Sequence, residues 1–145
     1  MRYWIVILFC LSFVFPAYAE EKLSEAELMK RAVVYSSKSD AYSVFCEKDG
    51  VMAQTFITKF LETNKITSEQ AEGFKVLARK NFSETMTELQ EGGKACATVD
   101  VMIKRFEVMR ELKNVSYLLN GVDPSTLPQD PNIPSIEQLM PSSER

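Results

Sequence analysis

Apolar residues recur at spacings of three and four along most of the chain, and this period predicts α-helices. The first helix is predicted from about Glu25 to Tyr35, because Ser24 and Glu27 match the capping-box pattern of a helix start. The polar run SSKSD at 36–40 then predicts an interruption, since clusters of serine and aspartate favour loops.

A second apolar stripe follows this run and predicts a second helix. The pattern is weakest at Asp49-Gly50, a dipeptide that favours turns, so a kink or break is expected there. The apolar positions on one side of this helix are Tyr42, Phe45, Cys46, Met52, Ala53, Phe56, Ile57, Phe60 and Leu61.

Two further helices complete the predicted domain. The third begins at Thr67, which forms a capping-box pattern with Gln70, and ends at Gly92-Gly93, where glycine can close a helix. The fourth runs from near Lys94 to Asn120, which another glycine follows. Its apolar stripe consists of Val99, Met102, Ile103, Phe106, Met109, Leu112 and Leu119. Because no strand pattern is strong, the predicted fold is all-α, a small bundle of three to four antiparallel helices.

Residues 1–19 have the organisation of a secretory signal peptide. Arg2 precedes an apolar run from Tyr3 to Phe15, and the AYA sequence at 17–19 matches a cleavage site, so the mature chain is predicted to begin at Glu20. The alternative is an uncleaved membrane anchor, but the run is shorter than the roughly 20 residues of a spanning helix. Cleavage takes the net charge from −3 to about −4. It also predicts a periplasmic or secreted protein.

The composition changes after Val122. Residues 123–145 hold five of the six prolines, which disfavour helix, so they predict an extended or disordered tail behind a helical domain at 20–122. Spaced apolar residues make the tail a candidate partner-docking segment, and the alternative is a chain end without a binding role. The predicted anchors are Ile133, Ile136, Leu139 and Met140.

Two cysteines, Cys46 and Cys96, remain after cleavage. Short connections make neighbouring helices antiparallel, so the second and fourth helices begin at the same end of the bundle. Cys46 is expected about six residues into the second helix and Cys96 about two into the fourth, an offset of only about 6 Å along the axis. In an exported chain this arrangement predicts an internal disulfide, with an intermolecular bond or a redox-active cysteine as the lesser alternatives.

The sequence contains no histidine, and this excludes several classes of chemistry. A nucleophilic cysteine lacks its usual base, a Ser-His-Asp triad is impossible, and two cysteines are too few for a structural zinc site. Gly92-Gly93 lacks the other residues of a phosphate-binding loop. We therefore predict a protein that is not an enzyme and that uses no cofactor or metal.

Three further groups of residues have alternative interpretations. Glu84, Glu88 and Glu91 are candidates for carboxylate chemistry, but they follow the polar face of the third helix. Four methionines have thioethers that suit Cu(I), although core filling is the favoured interpretation. Basic residues of the fourth helix alternate with glutamates, which is typical of an ion-paired surface, and the negative net charge argues against nucleic-acid binding. The methionines are Met52, Met86, Met102 and Met109, and the basic residues are Lys104, Arg105, Arg110 and Lys113.

The interval from Cys46 to Cys96 resembles in architecture the small periplasmic acid-stress chaperones, which are exported helical proteins bridged by one disulfide over a similar stretch. The resemblance implies a periplasmic stress chaperone as one alternative function, and a small-ligand carrier is another. The favoured hypothesis is an exported, non-enzymatic binding or scaffolding protein of the bacterial envelope, as an accessory component of an envelope or secretion assembly. This hypothesis predicts a protein partner and no membrane span after cleavage.

Overall fold

The computed structural model describes residues 22–128, and this part of the chain contains helices and turns but no strand. The helices are α1 (Glu25–Phe45), α2 (Met52–Glu62), α3 (Ser68–Glu91) and α4 (Val99–Leu119), followed by a short 3₁₀ turn at Pro124–Thr126. The predicted all-α bundle is confirmed. The signal peptide predicted at 1–19 and most of the predicted tail lie outside the described residues.

α1 is the central helix of the bundle. It packs against α2, α3 and α4, and α2 also packs against α3. Within the described range, the backbone of α4 approaches only α1 and the 3₁₀ turn. The ends of α1 and α3 lie beside the starts of α2 and α4, so each helix is antiparallel to the next along the chain.

Four helix ends follow the predicted capping residues. The Ser24 hydroxyl accepts a hydrogen bond from a backbone N–H of the first turn of α1 at 3.2 Å. Thr67 and Gln70 form a complete capping box at the start of α3. Gly93 and Gly121 adopt positive φ angles of 56° and 73° just after α3 and α4, the conformation in which glycine closes a helix. The start of α1, both ends of α3 and the end of α4 are thus confirmed.

The interruption predicted at 36–40 is wrong, because α1 continues through this run to Phe45. The Ser36 and Ser37 hydroxyls donate to backbone carbonyls three residues earlier, at 3.1 and 2.9 Å, so the helix itself satisfies their polarity. The buried polar residues of the run are Ser36, Ser37, Ser39 and Asp40. Small serine side chains let the neighbouring helices approach α1 closely, and this packing outweighs a weak helix propensity.

Asp40 joins the end of α1 to the start of α2. Its carboxylate accepts hydrogen bonds from the Met52 and Ala53 N–H groups at 2.8 and 2.9 Å, which are donors that a helix start leaves unpaired. Gly50 passes so close that a Cβ there would lie 2.8 Å from the Asp40 carbonyl oxygen. The predicted break at this glycine is confirmed, and residues 46–51 form it.

Two apolar clusters fill the bundle. The buried members of the larger one are Leu28, Met29, Ala32, Val33, Ile57, Phe60, Ile66, Ala71 and Val115. The smaller one lies where α1 and α3 end and α4 begins, and it buries Tyr42, Leu89 and Val101. Burial, and secondarily three neighbouring carboxylates, raise the pKa of the Tyr42 hydroxyl. Tyr42 lies near the end of α1 and not on the second helix, where the sequence predicts it.

Cys46 and Cys96 form a disulfide with Cα atoms 5.4 Å apart, so the predicted pairing is confirmed. Their predicted positions inside two helices are wrong. Cys46 is the C-cap of α1, and Cys96 lies in the connection before α4, which begins at Val99 rather than near Lys94. Because both connections lie at the same end of the bundle, the bond ties the start of α4 to the end of α1.

Replacing Asp40 with alanine should lower the free energy of unfolding by about 2 kcal/mol, because two N–H groups of α2 lose their acceptor. Asp40→Asn should lower it less, since its amide oxygen still accepts a hydrogen bond. Urea unfolding followed by circular dichroism measures both values. Asp49→Ala removes an exposed acid of the next connection and is the matched control, with an expected change below about 0.5 kcal/mol. An equal loss in the control would contradict the assigned cap.

Replacing Cys46 and Cys96 together with alanine should lower the free energy of unfolding by about 4 kcal/mol, because the unfolded chain regains the freedom of a closed loop. Urea unfolding of the oxidised wild type and of the double variant measures the difference. Since the bond ties α4 to α1, amides at the start of α4 should also lose protection from hydrogen exchange more than those of α3. Unchanged stability, or an equal loss of hydrogen-exchange protection in α3 and α4, would contradict this role of the disulfide.

Candidate functional site

An open apolar groove runs between α2 and α4, with a volume of about 900 Å³. Met52 and Phe56 of α2 form one wall, and Met102, Phe106 and Met109 of α4 form much of the other. We call this feature the α2–α4 groove. Most of its lining residues are apolar or aromatic.

The groove exists because α2 and α4 both pack on α1 while their own backbones stay apart. α4 turns Val101, Leu112 and Val115 towards the bundle and buries them. Positions about 100–140° further around the same helix from Val101 include Met102 and Phe106, which stay exposed. α1 therefore covers one of two adjacent apolar faces of α4 and leaves the other as the groove wall.

Three of the four methionines considered for Cu(I) meet in this groove. Met52, Met102 and Met109 line it and are each more than a third exposed, whereas Met86 lies on α3 and does not line it. Core filling is therefore the wrong interpretation for these three side chains, because the apolar period does not reveal how much of a face is covered. Phe106 lies among them and is 43% exposed. Flexible, polarizable thioethers beside an aromatic ring adapt readily to a bound partner.

The central helix holds one lining residue of the groove, Met109, in place. The buried Ser39 hydroxyl of α1 donates a hydrogen bond to the Met109 sulfur at 3.1 Å. This bond holds the thioether against α1 while the rest of the side chain remains exposed to the groove. The serine run that was expected to interrupt the helix thus supports the candidate site.

Basic side chains accompany the apolar row on α4. Arg105, Arg110 and Lys113 line the groove, and no aspartate or glutamate is among its lining residues. The Lys113 ammonium lies 5.8 Å from the ring centroid of Tyr117, a cation–π arrangement. A groove of this kind suits a ligand that combines apolar and negatively charged groups.

A smaller cleft of about 330 Å³ lies between α1, α2 and α3. Its carboxylate, Asp40, already accepts the two bonds that start α2. Lys75, which also lines the cleft, pairs with Glu72 at 2.7 Å, and this hydrogen bond lowers the pKa of the Glu72 carboxyl. These polar groups have partners within the chain, so the cleft is part of the architecture of the bundle.

Of the predicted site residues, the structure brings together Cys46 and Cys96. The predicted tail anchors Ile133, Ile136, Leu139 and Met140 lie outside the described residues, and their role stays a prediction. The three glutamates considered for carboxylate chemistry, Glu84, Glu88 and Glu91, are exposed on α3. Across residues 22–128, no three side chains of the metal-ligating types form a group that could hold an ion.

The sequence predictions missed the groove, although a signal for it was present. The apolar stripe of the fourth predicted helix is wider than a single neighbouring helix can cover, since Met102 and Leu112 lie on different sides of it. Arg105, Arg110 and Lys113 flank this stripe. A wide apolar stripe accompanied by several basic residues indicates a second contact face.

No protein-family model, curated protein or solved structure matches the chain. No helix between residues 22 and 128 has both the length and the apolar character needed to cross a bilayer. The functional interpretation rests on the residues of the groove itself.

The groove should bind anilinonaphthalene sulfonate, a fluorescent probe that is apolar and negatively charged. Phe106→Ser should weaken this binding by about tenfold, because the lost ring contact is worth on the order of 1.5 kcal/mol. A fluorescence titration measures the dissociation constants. Val76→Ser changes an exposed apolar position of α3 and is the matched control. Equal weakening by both substitutions would place the probe elsewhere.

Proposed function

We propose that this chain is an exported, non-enzymatic binding protein of the bacterial envelope that docks a protein partner in the α2–α4 groove. The observation that carries the proposal is the exposed row of Met102, Phe106 and Met109 beside Arg105 and Arg110. A continuous exposed apolar surface marks an interaction site, and aromatic and arginine side chains supply much of the binding energy at protein interfaces.

The partner segment that fits this groove best is an amphipathic helix with acidic residues. The groove follows α4 from Met102 to Asn120, a length of about 27 Å at the helical rise. A helix of about five turns matches this length and would place apolar residues at three- and four-residue spacings against the methionines. Acidic residues beside that row would meet Arg105, Arg110 and Lys113.

Export and a place in a larger assembly are further parts of the proposal. The signal-peptide pattern at 1–19 supports export, and the Cys46–Cys96 disulfide suits an oxidising compartment. An apolar groove on a small disulfide-tied bundle fits an accessory component that attaches to one segment of a larger envelope or secretion assembly.

A carrier of small amphiphilic molecules is a second candidate function, and the volume of the groove favours it. Small-molecule sites measure roughly 300–1,000 Å³ and combine an apolar lining with a few polar groups. The α2–α4 groove, at about 900 Å³, falls in this range. An alkyl chain would contact Met102 and Phe106, and a carboxylate would lie near Arg105. The stress chaperone stays a prediction from the sequence.

Site-specific photo-crosslinking in cells that make the protein tests the proposal. Phe106→benzoylphenylalanine places a photoreactive ring in the groove, and Val76→benzoylphenylalanine places the same group on an exposed face of α3 as the matched control. We expect a covalent adduct with one identified protein from position 106 only. Reversing the charge with Arg105→Glu and Arg110→Glu should abolish this adduct.

Two outcomes would contradict a protein-docking function. The first is the same set of protein adducts from both positions, which would indicate random encounter. The second is no protein adduct from position 106. An adduct with the mass of a lipid at position 106 alone would favour the carrier instead.

A further inference from the structure

The α2–α4 groove ends beside the point where the chain leaves α4. Tyr117 and Asn120 line this end of the groove. Gly121, with a φ of 73°, then turns the chain, and the 3₁₀ turn that follows packs back on α4. The described chain ends at Pro128, so the segment 129–145 starts within a few residues of the groove.

We infer that residues 129–145 of the same chain occupy the α2–α4 groove when no partner is bound, so that a partner must displace them. The inference rests on the proposed function, because it concerns how that binding site is regulated. Charge, spacing, reach and tethering each support it.

The charges of the two surfaces are complementary. Arg105, Arg110 and Lys113 line the groove, and Arg110 also pairs with the adjacent Glu111 at 3.5 Å. The segment carries three acidic residues and one basic residue, which are Asp130, Glu137, Glu144 and Arg145. Opposite charges of this kind favour docking and orient the segment along the basic side of α4.

The apolar residues of the segment match the groove in spacing and reach. Ile133, Ile136 and Leu139 recur at every third position, a period that would put them on one side of a helical turn or of a polyproline II chain. A segment of this length can span up to about 55 Å, roughly twice the length of the groove. Ile136 and Leu139, which are 8 and 11 residues beyond Pro128, can therefore reach Phe106, whereas Ile133 reaches the end of the groove nearer to Tyr117.

Tethering favours the chain's own segment over that of a second copy. A segment joined by a short linker has an effective concentration of about 1 mM at a site within its reach. A second copy would need a protein concentration of that order to compete equally. At micromolar protein the segment in the groove therefore belongs to the same chain.

Paramagnetic broadening of methionine methyl signals tests the inference on the full mature chain. A nitroxide attached at Ser142→Cys, with the native disulfide intact, should broaden the signals of Met52, Met102 and Met109. Met86 lies on α3, whose backbone does not approach α4, so its signal is the internal reference and should keep its intensity.

Substitutions in the segment separate docking from chance proximity. Ile133→Ser, Ile136→Ser and Leu139→Ser together should abolish the broadening. Asn132→Ser with Gln138→Ser changes neighbouring polar residues and should preserve it. Broadening that persists without the three anchors, or that affects the reference signal equally, would overturn the inference.

A mixed sample distinguishes the chain's own segment from that of a second copy. One chain carries the nitroxide without labelled methyl groups, and the other carries labelled methyl groups without the nitroxide. We expect no broadening in this mixture at micromolar concentration. Broadening there would overturn docking within one chain and would indicate exchange between copies.

Two further readouts separate this inference from the proposed function. The three-anchor variant should bind anilinonaphthalene sulfonate about tenfold more tightly than the wild type does. This factor corresponds to a groove that the segment leaves free in about a tenth of the wild-type molecules, because apparent affinity is reduced by the free fraction. A partner crosslink at Phe106 without methionine broadening would overturn the inference alone. Broadening without any partner crosslink, even in the three-anchor variant, would overturn the proposed function and with it the regulatory role.

Discussion

Close packing around the middle of α1 is the constraint on which the rest of the structure depends. α1 alone packs against all three other helices, through apolar residues such as Ala32 and Val33 and through a run of small polar residues that follows them. The Ser36 and Ser37 hydroxyls donate hydrogen bonds to carbonyls of their own helix, and the Asp40 carboxylate accepts hydrogen bonds from the start of α2. A buried polar group without a partner costs on the order of 1–3 kcal/mol. Within residues 22–128, no buried side-chain nitrogen or oxygen lacks a partner, so the run is buried without that penalty.

The same arrangement explains why an apolar groove remains open. The backbone of α4 approaches that of α1 but not those of α2 and α3, and the Cys46–Cys96 disulfide ties the connection before α4 to the end of α1. One face of α4 is therefore buried, while Met102 and Phe106 on the adjacent face stay exposed. A fifth helix packed between α2 and α4 would bury this surface. The apolar face that the bundle does not cover is the one that we propose for binding.

Local signals in the sequence predicted those parts of the fold that local interactions determine. The Thr67 capping box and the glycines after α3 and α4 define helix ends by short-range hydrogen bonds, and the predictions of these helix ends are confirmed. The predicted interruption at the serine run of α1 is wrong, because tertiary packing and hydrogen bonds to backbone carbonyls outweigh the weak helix propensity of the run. The methionines of the groove were assigned to the core, because the helical period identifies an apolar face and not what covers it. The predicted pairing of Cys46 with Cys96 is confirmed, because the α1–α2 and α3–α4 connections lie at the same end of the bundle.

Hydrogen exchange of the backbone amides at 36–41 is the most direct test of this account, because these residues form the part of α1 that packs against the other helices. The account predicts that they exchange among the slowest amides of the chain, since they open only when the whole bundle opens. Exchange as fast as that of the connection at 46–51 would mean that α1 is interrupted at its serine run. That result would contradict the central position of α1 and, with it, the origin of the groove.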